Sequence, residues 1–156
     1  MYNIIFVCYG NICRSPMAEM ILKDLVYKNS KRYLFNCISR STSIEEIGNG
    51  MYPKAIDILN KYNIKIESHI AKQLKKEDYN KYDLIIGFET RNINDIKRII
   101  GEDPYNKVHL LGEYLDNREI ADPWYTDDFE TAYNDIYECT YSMFNKLVEE
   151  AKNNAI

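Results

Sequence analysis

Two kinds of apolar pattern alternate along the chain. Short, nearly continuous apolar runs, typical of strands buried on both faces of a parallel sheet, predict strands at 2–7, 34–39, 84–88 and 108–111. Apolar residues spaced three and four positions apart predict helices at 16–27, 53–62, 75–79, 91–100 and 129–152. The segments 41–52 and 112–127 follow neither pattern, so we predict loops there.

This order of elements predicts the fold class. Strands that alternate with helices are typical of right-handed βαβ crossovers and a parallel sheet. We therefore expect a single α/β domain over residues 1–156, with a four-stranded parallel sheet flanked by helices. Ligands bind such sheets beyond the carboxyl ends of the strands. The loop that follows the first strand lies at such an end and is the first place to look for a site.

Composition and charge narrow the range of partners and compartments. The net charge of −4 argues against nucleic acid as a partner. No apolar run approaches the roughly 20 residues of a membrane span, and the first residues lack the pattern of a secretory signal, so we expect no membrane partner. Two of the four cysteines share one loop, and we interpret all four as reduced thiols of a cytoplasmic protein; they are Cys8, Cys13, Cys37 and Cys139.

The loop after the first strand contains a nucleophile and an anion-binding group. Cys8 supplies a thiol, and Arg14 supplies a planar fork of donors that keeps its charge. The loop runs into a helix that Pro16 opens, so the backbone N–H groups of the residues between them can point inward; these are Tyr9, Gly10, Asn11, Ile12 and Cys13. The helix dipole favours the ionised form of Cys8, and Ser15 can donate its hydroxyl to the sulfur.

These features predict a phosphate-binding loop. The alternative interpretation is a tight strand–helix connection around a buried cysteine. That alternative does not explain why an arginine, an asparagine and a serine crowd into one turn at the end of a sheet.

A phosphoryl transfer to cysteine needs an acid that protonates the leaving oxygen. Asp122 is the best candidate, because Pro123 stiffens its backbone and two aromatic residues, Trp124 and Tyr125, follow it and could line a cleft. Four other aspartates compete for this role: Asp103, Asp116, Asp127 and Asp128. Of these, Asp128 is better explained as the N-terminal cap of the last helix.

With the loop and the Asp-Pro-aromatic segment together, the chain resembles the low molecular weight protein tyrosine phosphatases. The most specific stretch of the resemblance runs from Val7 to Pro16. The resemblance implies that Cys8 is the nucleophile, that Arg14 binds phosphate and that Ser15 stabilises the thiolate. It also implies that Asp122 acts first as an acid and then as a base.

The resemblance further implies a support network and a substrate pocket. In the family the asparagine of the loop shapes it through hydrogen bonds, which makes Asn11 the centre of a network with Ser39 and His69 as its remote partners. In the family a tryptophan often forms one wall of the pocket, and in this chain Glu45 or Glu46 lies near that position. The residue after the nucleophile is the bulky Tyr9. An aspartate that often follows the third strand is Glu89. We expect the substrate pocket to consist of Tyr9, Ile12, Glu45, Trp124 and Tyr125.

The resulting hypothesis is a phosphatase that hydrolyses phosphotyrosine and small aryl phosphates through a phosphocysteine, with tyrosine-phosphorylated proteins as partners and phosphate as product. We expect no metal and no cofactor. Three alternatives remain. A thiol-dependent arsenate reductase needs further cysteines after the third strand, and 88–101 has none. Phosphoarginine phosphatases tend to carry threonine at the position of Ile12. A non-catalytic phosphate-binding module would not need both Cys8 and Asp122.

Cys13 has two possible roles. It could be a small side chain that fills the base of the loop. Alternatively, it could capture an oxidised Cys8 as a disulfide and so protect it from irreversible oxidation. We favour this redox role, partly on the family resemblance.

Overall fold

The computed structural model describes residues 1–154 and contains one four-stranded parallel sheet. The strands are β1 (Tyr2–Cys8), β2 (Phe35–Ser41), β3 (Leu84–Gly87) and β4 (Val108–Leu110). Their order across the sheet is β2-β1-β3-β4, and every neighbouring pair is parallel. The predicted single α/β domain with a four-stranded parallel sheet is confirmed. The proposed extent of 1–156 stays a prediction, and its last two residues lie outside the described part.

Helices cover both faces of the sheet. They are α1 (Arg14–Lys28), α2 (Pro53–Lys61), α3 (Asp78–Lys81), α4 (Thr90–Ile100), α5 (Pro123–Thr126) and α6 (Phe129–Asn154). A short 3-10 helix, Leu111–Tyr114, follows β4. One face packs the larger core under α1 and α6, around Phe6 and Met17. The other packs the smaller core around Ile5, Val7 and Ile96. Alternate residues of β1 thus enter opposite cores, which explains why its apolar run is continuous.

Helix boundaries differ from the predictions where local hydrogen bonds decide them. α1 begins at Arg14 rather than Pro16, since the Met17 amide already donates to the carbonyl of Cys13 at 3.1 Å. A proline is tolerated in this first turn because no amide there needs an intrahelical acceptor. The predicted helix 75–79 was placed too early. The helix is α3, which follows a turn at 76–77, and the Asp78 carboxylate accepts from the Lys75 amide at 2.8 Å.

The predicted loop 112–127 is partly helical. α5 forms because Pro123 occupies its first turn and the Asp122 carboxylate accepts from the Trp124 amide at 3.0 Å. The 3-10 helix that precedes α5 contains Gly112, whose backbone lies very close to that of Arg118. A Cβ at Gly112 would lie 1.8 Å from the carbonyl oxygen of Arg118. Only glycine fits at this position. The turn brings the chain back to the sheet, where the Ile120 amide donates to the carbonyl of Phe88 at 2.8 Å.

Candidate active site

The loop Tyr9–Cys13 connects the carboxyl end of β1 to the first turn of α1. Cys8 is the last residue of the strand and is only 3% exposed. Its sulfur lies 3.0 Å from the Ser15 hydroxyl and accepts from the Ser15 amide at 3.4 Å. Both donors belong to the start of α1, where amides have no partner inside the helix. They can therefore stabilise negative charge on the sulfur.

Asn11 holds the loop from behind. Its backbone has a φ of 60°, in the left-handed region that asparagine tolerates better than most residues. Its side-chain amide donates to Ser15 Oγ at 2.8 Å and to Ser39 Oγ at 3.0 Å. Its carbonyl Oδ1 accepts from the amide of Lys72 at 3.1 Å, and a ring nitrogen of His69 lies 2.7 Å from its backbone oxygen. The structure thus brings the three expected support residues together.

Arg14 is almost fully buried, at 2% exposure, and its guanidinium is held by groups far away in sequence. Nη1 donates to the carboxylate of Glu89 and, at 2.8 Å, to the carbonyl oxygen of Ile120. Nη2 lies 3.3 Å from Asp122 Oδ2. Within residues 1–154 no hydrogen bond uses Nε, so the edge formed by Nε and Nη2 keeps donors for another anion.

Asp122 faces this fork. Its side chain is 17% exposed, and one carboxylate oxygen caps α5 while the other lies beside Arg14. The four competing aspartates are engaged elsewhere. Asp127 pairs with Lys54, and Asp128 caps α6 through the Thr131 amide at 2.9 Å. Asp116 pairs with Arg118, and Asp103 accepts from the Tyr79 hydroxyl at 2.5 Å.

A cavity of about 90 Å³ opens above the sulfur. Its lining includes Asp122, all five predicted pocket residues and every predicted phosphate-loop residue except Asn11. The full lining is Cys8, Tyr9, Gly10, Ile12, Cys13, Arg14, Glu45, Glu46, Asp122, Trp124 and Tyr125. The predicted nucleophile, anion-binding side chain and acid therefore share one cavity. Ser15, Ser39 and His69 lie behind its wall, as support residues should.

The rim of the cavity is aromatic and charged. The Tyr9 hydroxyl donates to Glu45 at 2.6 Å, and this hydrogen bond to a carboxylate raises the pKa of Tyr9. The guanidinium of Arg91 lies over the same ring, 4.3 Å from its centroid. Trp124, which also lines the cavity, is half exposed and rests edge-on against Tyr52 with ring centroids 5.1 Å apart.

Sequence reasoning did not identify several residues that shape the site. The carbonyl of Ile120 contacts Arg14, 106 positions away, and the guanidinium of Arg91 contacts the ring of Tyr9, 82 positions away. No local pattern indicates such contacts. Glu19 had a visible signal, because it is a charged residue within the apolar stretch of α1. It is 7% exposed and accepts from the Ser39 hydroxyl at 2.6 Å.

The electrostatics of Cys13 differ from those expected of a free surface thiol. All four cysteines are unbonded and buried. Burial, and then the neighbouring Cys8, raise the pKa of the Cys13 thiol, so it is held in its neutral form. No group of three His, Cys, Asp or Glu side chains in the described part of the chain is arranged to hold a metal ion. Across residues 1–154, no helix has the length and apolar character of a membrane span.

Comparison with known proteins identifies the family. The family model described as low molecular weight phosphotyrosine protein phosphatase matches residues 3–154. The chain belongs to this family. A Saccharomyces cerevisiae low molecular weight phosphotyrosine protein phosphatase is 39% identical over 138 residues, which cover 85% of each chain.

Two solved structures of the same fold are informative. The crystal structure of YfkJ from Bacillus subtilis has a TM-score of 0.92 and 29% identity, and 96% of each chain is covered. The crystal structure of a Drosophila arginine phosphatase has a TM-score of 0.83 and 26% identity, and covers 92% of this chain and 96% of its own. YfkJ, which is named a low molecular weight protein-tyrosine-phosphatase, and a protein named an arginine phosphatase therefore share this architecture.

Proposed function

We propose that this chain hydrolyses phosphotyrosine, and small aryl phosphates, through a phosphocysteine intermediate. The observation that carries the proposal is the arrangement of Cys8, Arg14 and Asp122 around one cavity, with the sulfur at its base and Asp122 Oδ2 3.3 Å from the guanidinium. A binding module would need the anion-binding groups but neither the nucleophile nor the acid. The names of the relatives support the same activity.

In the first step the Cys8 thiolate attacks phosphorus in line and the P–O bond to the phenol breaks. The free edge of Arg14 and the loop amides hold the non-bridging oxygens, and protonated Asp122 gives its proton to the departing phenolate. In the second step water attacks the phosphocysteine, Asp122 takes the proton, and Cys8 leaves as thiolate. The protein mainly contributes position and fixed charge.

The rim supports an aromatic leaving group. Trp124 and Tyr125 line the cavity together with Tyr9 and Ile12. A flat phenyl ring fits between such walls, and contacts with them favour aryl over alkyl esters. In this chain the family's tryptophan wall is absent and Glu45 binds Tyr9 instead, so we propose that Tyr9 supplies the aromatic surface on that side.

Phosphoarginine is the second candidate substrate, because an arginine phosphatase is among the structural relatives. Ile12 argues against it, since relatives with that preference tend to carry threonine at this position. An arsenate reductase is less consistent with the chain, because 88–101 contains no cysteine for a relay. We further propose that the protein works in the reducing cytoplasm, which its four unbonded thiols favour.

The test uses purified protein and three phosphopeptides, carrying phosphotyrosine, phosphoserine and phosphoarginine. We expect phosphotyrosine to be hydrolysed fastest. Cys8→Ser should abolish turnover and keep phosphate binding, whereas Arg14→Lys should lose both because a point charge cannot replace the planar fork. Cys139→Ser, at a buried cysteine outside the cavity, is the matched control and should stay active. Turnover by Cys8→Ser would refute the covalent mechanism.

A further inference from the structure

Tyr52 contacts both of the segments that carry the proposed chemistry, although it lies outside the lining of the cavity above Cys8. Its backbone amide donates to the carbonyl oxygen of Ile12, in the phosphate loop, at 2.9 Å. Its ring lies edge-on against the indole of Trp124, with ring centroids 5.1 Å apart and an interplanar angle of 67°. Ile12 and Trp124 both line the cavity. One residue behind the cavity therefore contacts a wall from the phosphate loop and a wall from the segment of the proposed acid.

The ring of Tyr52 also contacts the start of α6. Phe129, the first residue of that helix, stacks on it with ring centroids 5.8 Å apart and an interplanar angle of 17°. Edge-on and stacked arrangements are the ones that aromatic pairs prefer. Phe129 is 7% exposed, whereas Trp124 is 53% exposed. Tyr52 thus connects an exposed indole to the packed beginning of a long helix.

The local sequence fixes the position of Tyr52. Pro53 follows it, and a proline restricts the residue before it to extended backbone. Tyr52 has a φ of −62° and a ψ of 136°, and it directly precedes the first residue of α2. The helix start and the hydrogen bond to Ile12 therefore hold its backbone, so the ring contacts Trp124 from a fixed base.

α5 is too short to hold its own position. A helix of four residues has little stability of its own, so its place depends on its contacts. Pro123 is buried, whereas the side chains of Trp124 and Tyr125 are exposed. The contact with Tyr52 limits the movement of the exposed indole. Because the Trp124 amide donates to Asp122 Oδ1 at 3.0 Å, a displaced Trp124 would also displace this carboxylate.

The position of the Asp122 carboxylate is critical for the proposed chemistry. Its Oδ2 lies 3.3 Å from Arg14 Nη2, beside the donors that we assign to the phosphate. A group that transfers a proton must lie within hydrogen-bond reach of it, and a misplacement of about 1 Å can cost about 100-fold in rate. Tyr52 sets this distance from both sides, since it contacts Trp124 of α5 and Ile12 of the phosphate loop.

A second contact joins the start of α2 to the end of α5. Lys54 pairs with Asp127, the residue that follows α5. The two side chains are 51% and 70% exposed, and an exposed ion pair contributes little because water screens it. We therefore assign the holding role to the ring of Tyr52.

We propose that Tyr52 is a positioning residue for the acid: its ring holds Trp124 and thereby keeps the Asp122 carboxylate in place for proton transfer. The proposal rests on the proposed function and adds to it a residue outside the cavity. Tyr62 provides an internal comparison. It lies at the other end of α2, outside the cavity lining, and stacks on Tyr133 of α6 with ring centroids 4.3 Å apart. Both rings pack on α6, but the aromatic contact with α5 is made by Tyr52.

The first test observes Trp124 directly, because it is the single tryptophan of the chain. In Tyr52→Ala the indole should lose its support, so the constant for quenching by acrylamide should rise and the fluorescence anisotropy should fall. Tyr52→Phe keeps the ring and should keep the wild-type values, as should Tyr62→Ala. Unchanged quenching and anisotropy in Tyr52→Ala would overturn the proposal. This measurement uses no phosphate ester and is independent of the phosphatase activity.

The second test compares kcat/KM for phenyl phosphate with kcat/KM for 4-nitrophenyl phosphate. Tyr52→Ala should lower the first value by about 10- to 100-fold, the scale of a misplaced proton donor. It should lower the second by less than about threefold, because a good leaving group needs little protonation. Both esters carry a phenyl ring, so a weaker aromatic wall would lower both values alike. Tyr52→Phe and Tyr62→Ala should keep the wild-type ratio.

A double variant shows whether Tyr52 acts through Asp122. The acid is already absent in Asp122→Asn, so the addition of Tyr52→Ala should lower the phenyl phosphate value by less than about threefold. A loss that adds in full, or equal losses with the two esters in Tyr52→Ala, would refute the positioning role alone. If Tyr52→Ala does not fold, Tyr52→Leu must show the same change of ratio. A wild type that hydrolyses neither ester would instead refute the proposed function, and with it the catalytic role of Tyr52.

Discussion

Replacement of Asn11 tests whether the phosphate loop is held by its own side-chain network. Asn11→Gly removes three side-chain hydrogen bonds, to Ser15, Ser39 and the Lys72 amide, and leaves the backbone free to keep its φ of 60°. At about 1 kcal/mol net for each bond, the free energy of unfolding should fall by about 3 kcal/mol. In a chain of this length that lowers the Tm by about 6–12 °C.

Asn11→Ala separates the backbone contribution from the hydrogen bonds. It loses the same three bonds and must also hold a Cβ in the left-handed region, so it should be less stable than Asn11→Gly by about 1 kcal/mol. Asn106 is the matched control. It has a similar φ of 52°, is exposed, and its side chain makes no hydrogen bond within the described residues. Asn106→Gly should change the free energy of unfolding by less than about 0.5 kcal/mol.

Urea denaturation of the three variants measures these differences, and phosphate binding reports whether the loop keeps its shape. A loss below about 1 kcal/mol in Asn11→Gly would refute the network as the support of the loop, since even one such bond contributes that much. An Asn11→Ala variant as stable as Asn11→Gly would refute the backbone argument alone.

Two further predictions concern the chemistry. Asp122→Asn should slow hydrolysis of phenyl phosphate strongly and of 4-nitrophenyl phosphate much less, because a good leaving group needs little protonation; equal losses in steady-state kinetics would assign the acid elsewhere. Wild type treated with peroxide should regain activity with a dithiol, and Cys13→Ser should regain much less, because we expect Cys13 to capture the sulfenic acid of Cys8. Equal recovery, or a mass spectrum that joins Cys8 to Cys37 or Cys139, would exclude Cys13 as the partner.

Local sequence was sufficient for the sheet and for the centre of the site. The predicted strands agree with the structure to within two residues. The pattern is clearest for β1, because a strand buried on both faces needs a continuous apolar run. Cys8 and Arg14 could be predicted together since only five residues of one loop connect them. The prediction of Asp122 rested on a chemical argument, the need for an acid. The neighbouring Pro123 distinguished it from other aspartates, and in the structure this proline begins α5.

Local patterns could not predict contacts between distant segments of the chain. Ser39 and His69 were expected only through the family resemblance, because 28 and 58 residues separate them from Asn11 and no periodicity indicates the pairing. Short helices such as α5 were missed for a different reason. A helix of four residues is too short for an apolar period, and capping alone defines it.

The proposed mechanism uses Asp122 as an acid, and the charges around Arg14 bear on how that acid and a phosphate dianion would share one cavity. One buried guanidinium contacts the carboxylates of Glu89 and Asp122 and lines the same cavity as Cys8. If all three were ionised, the groups around the cavity would be net negative, and a phosphate dianion would be repelled at short range. Protonation of Asp122 removes one of these charges, and the oriented amides at the start of α1 add positive potential without a counter-charge. In the proposed mechanism one proton would therefore serve twice: on Asp122 it would reduce the repulsion of the dianion, and the leaving phenolate would then take it.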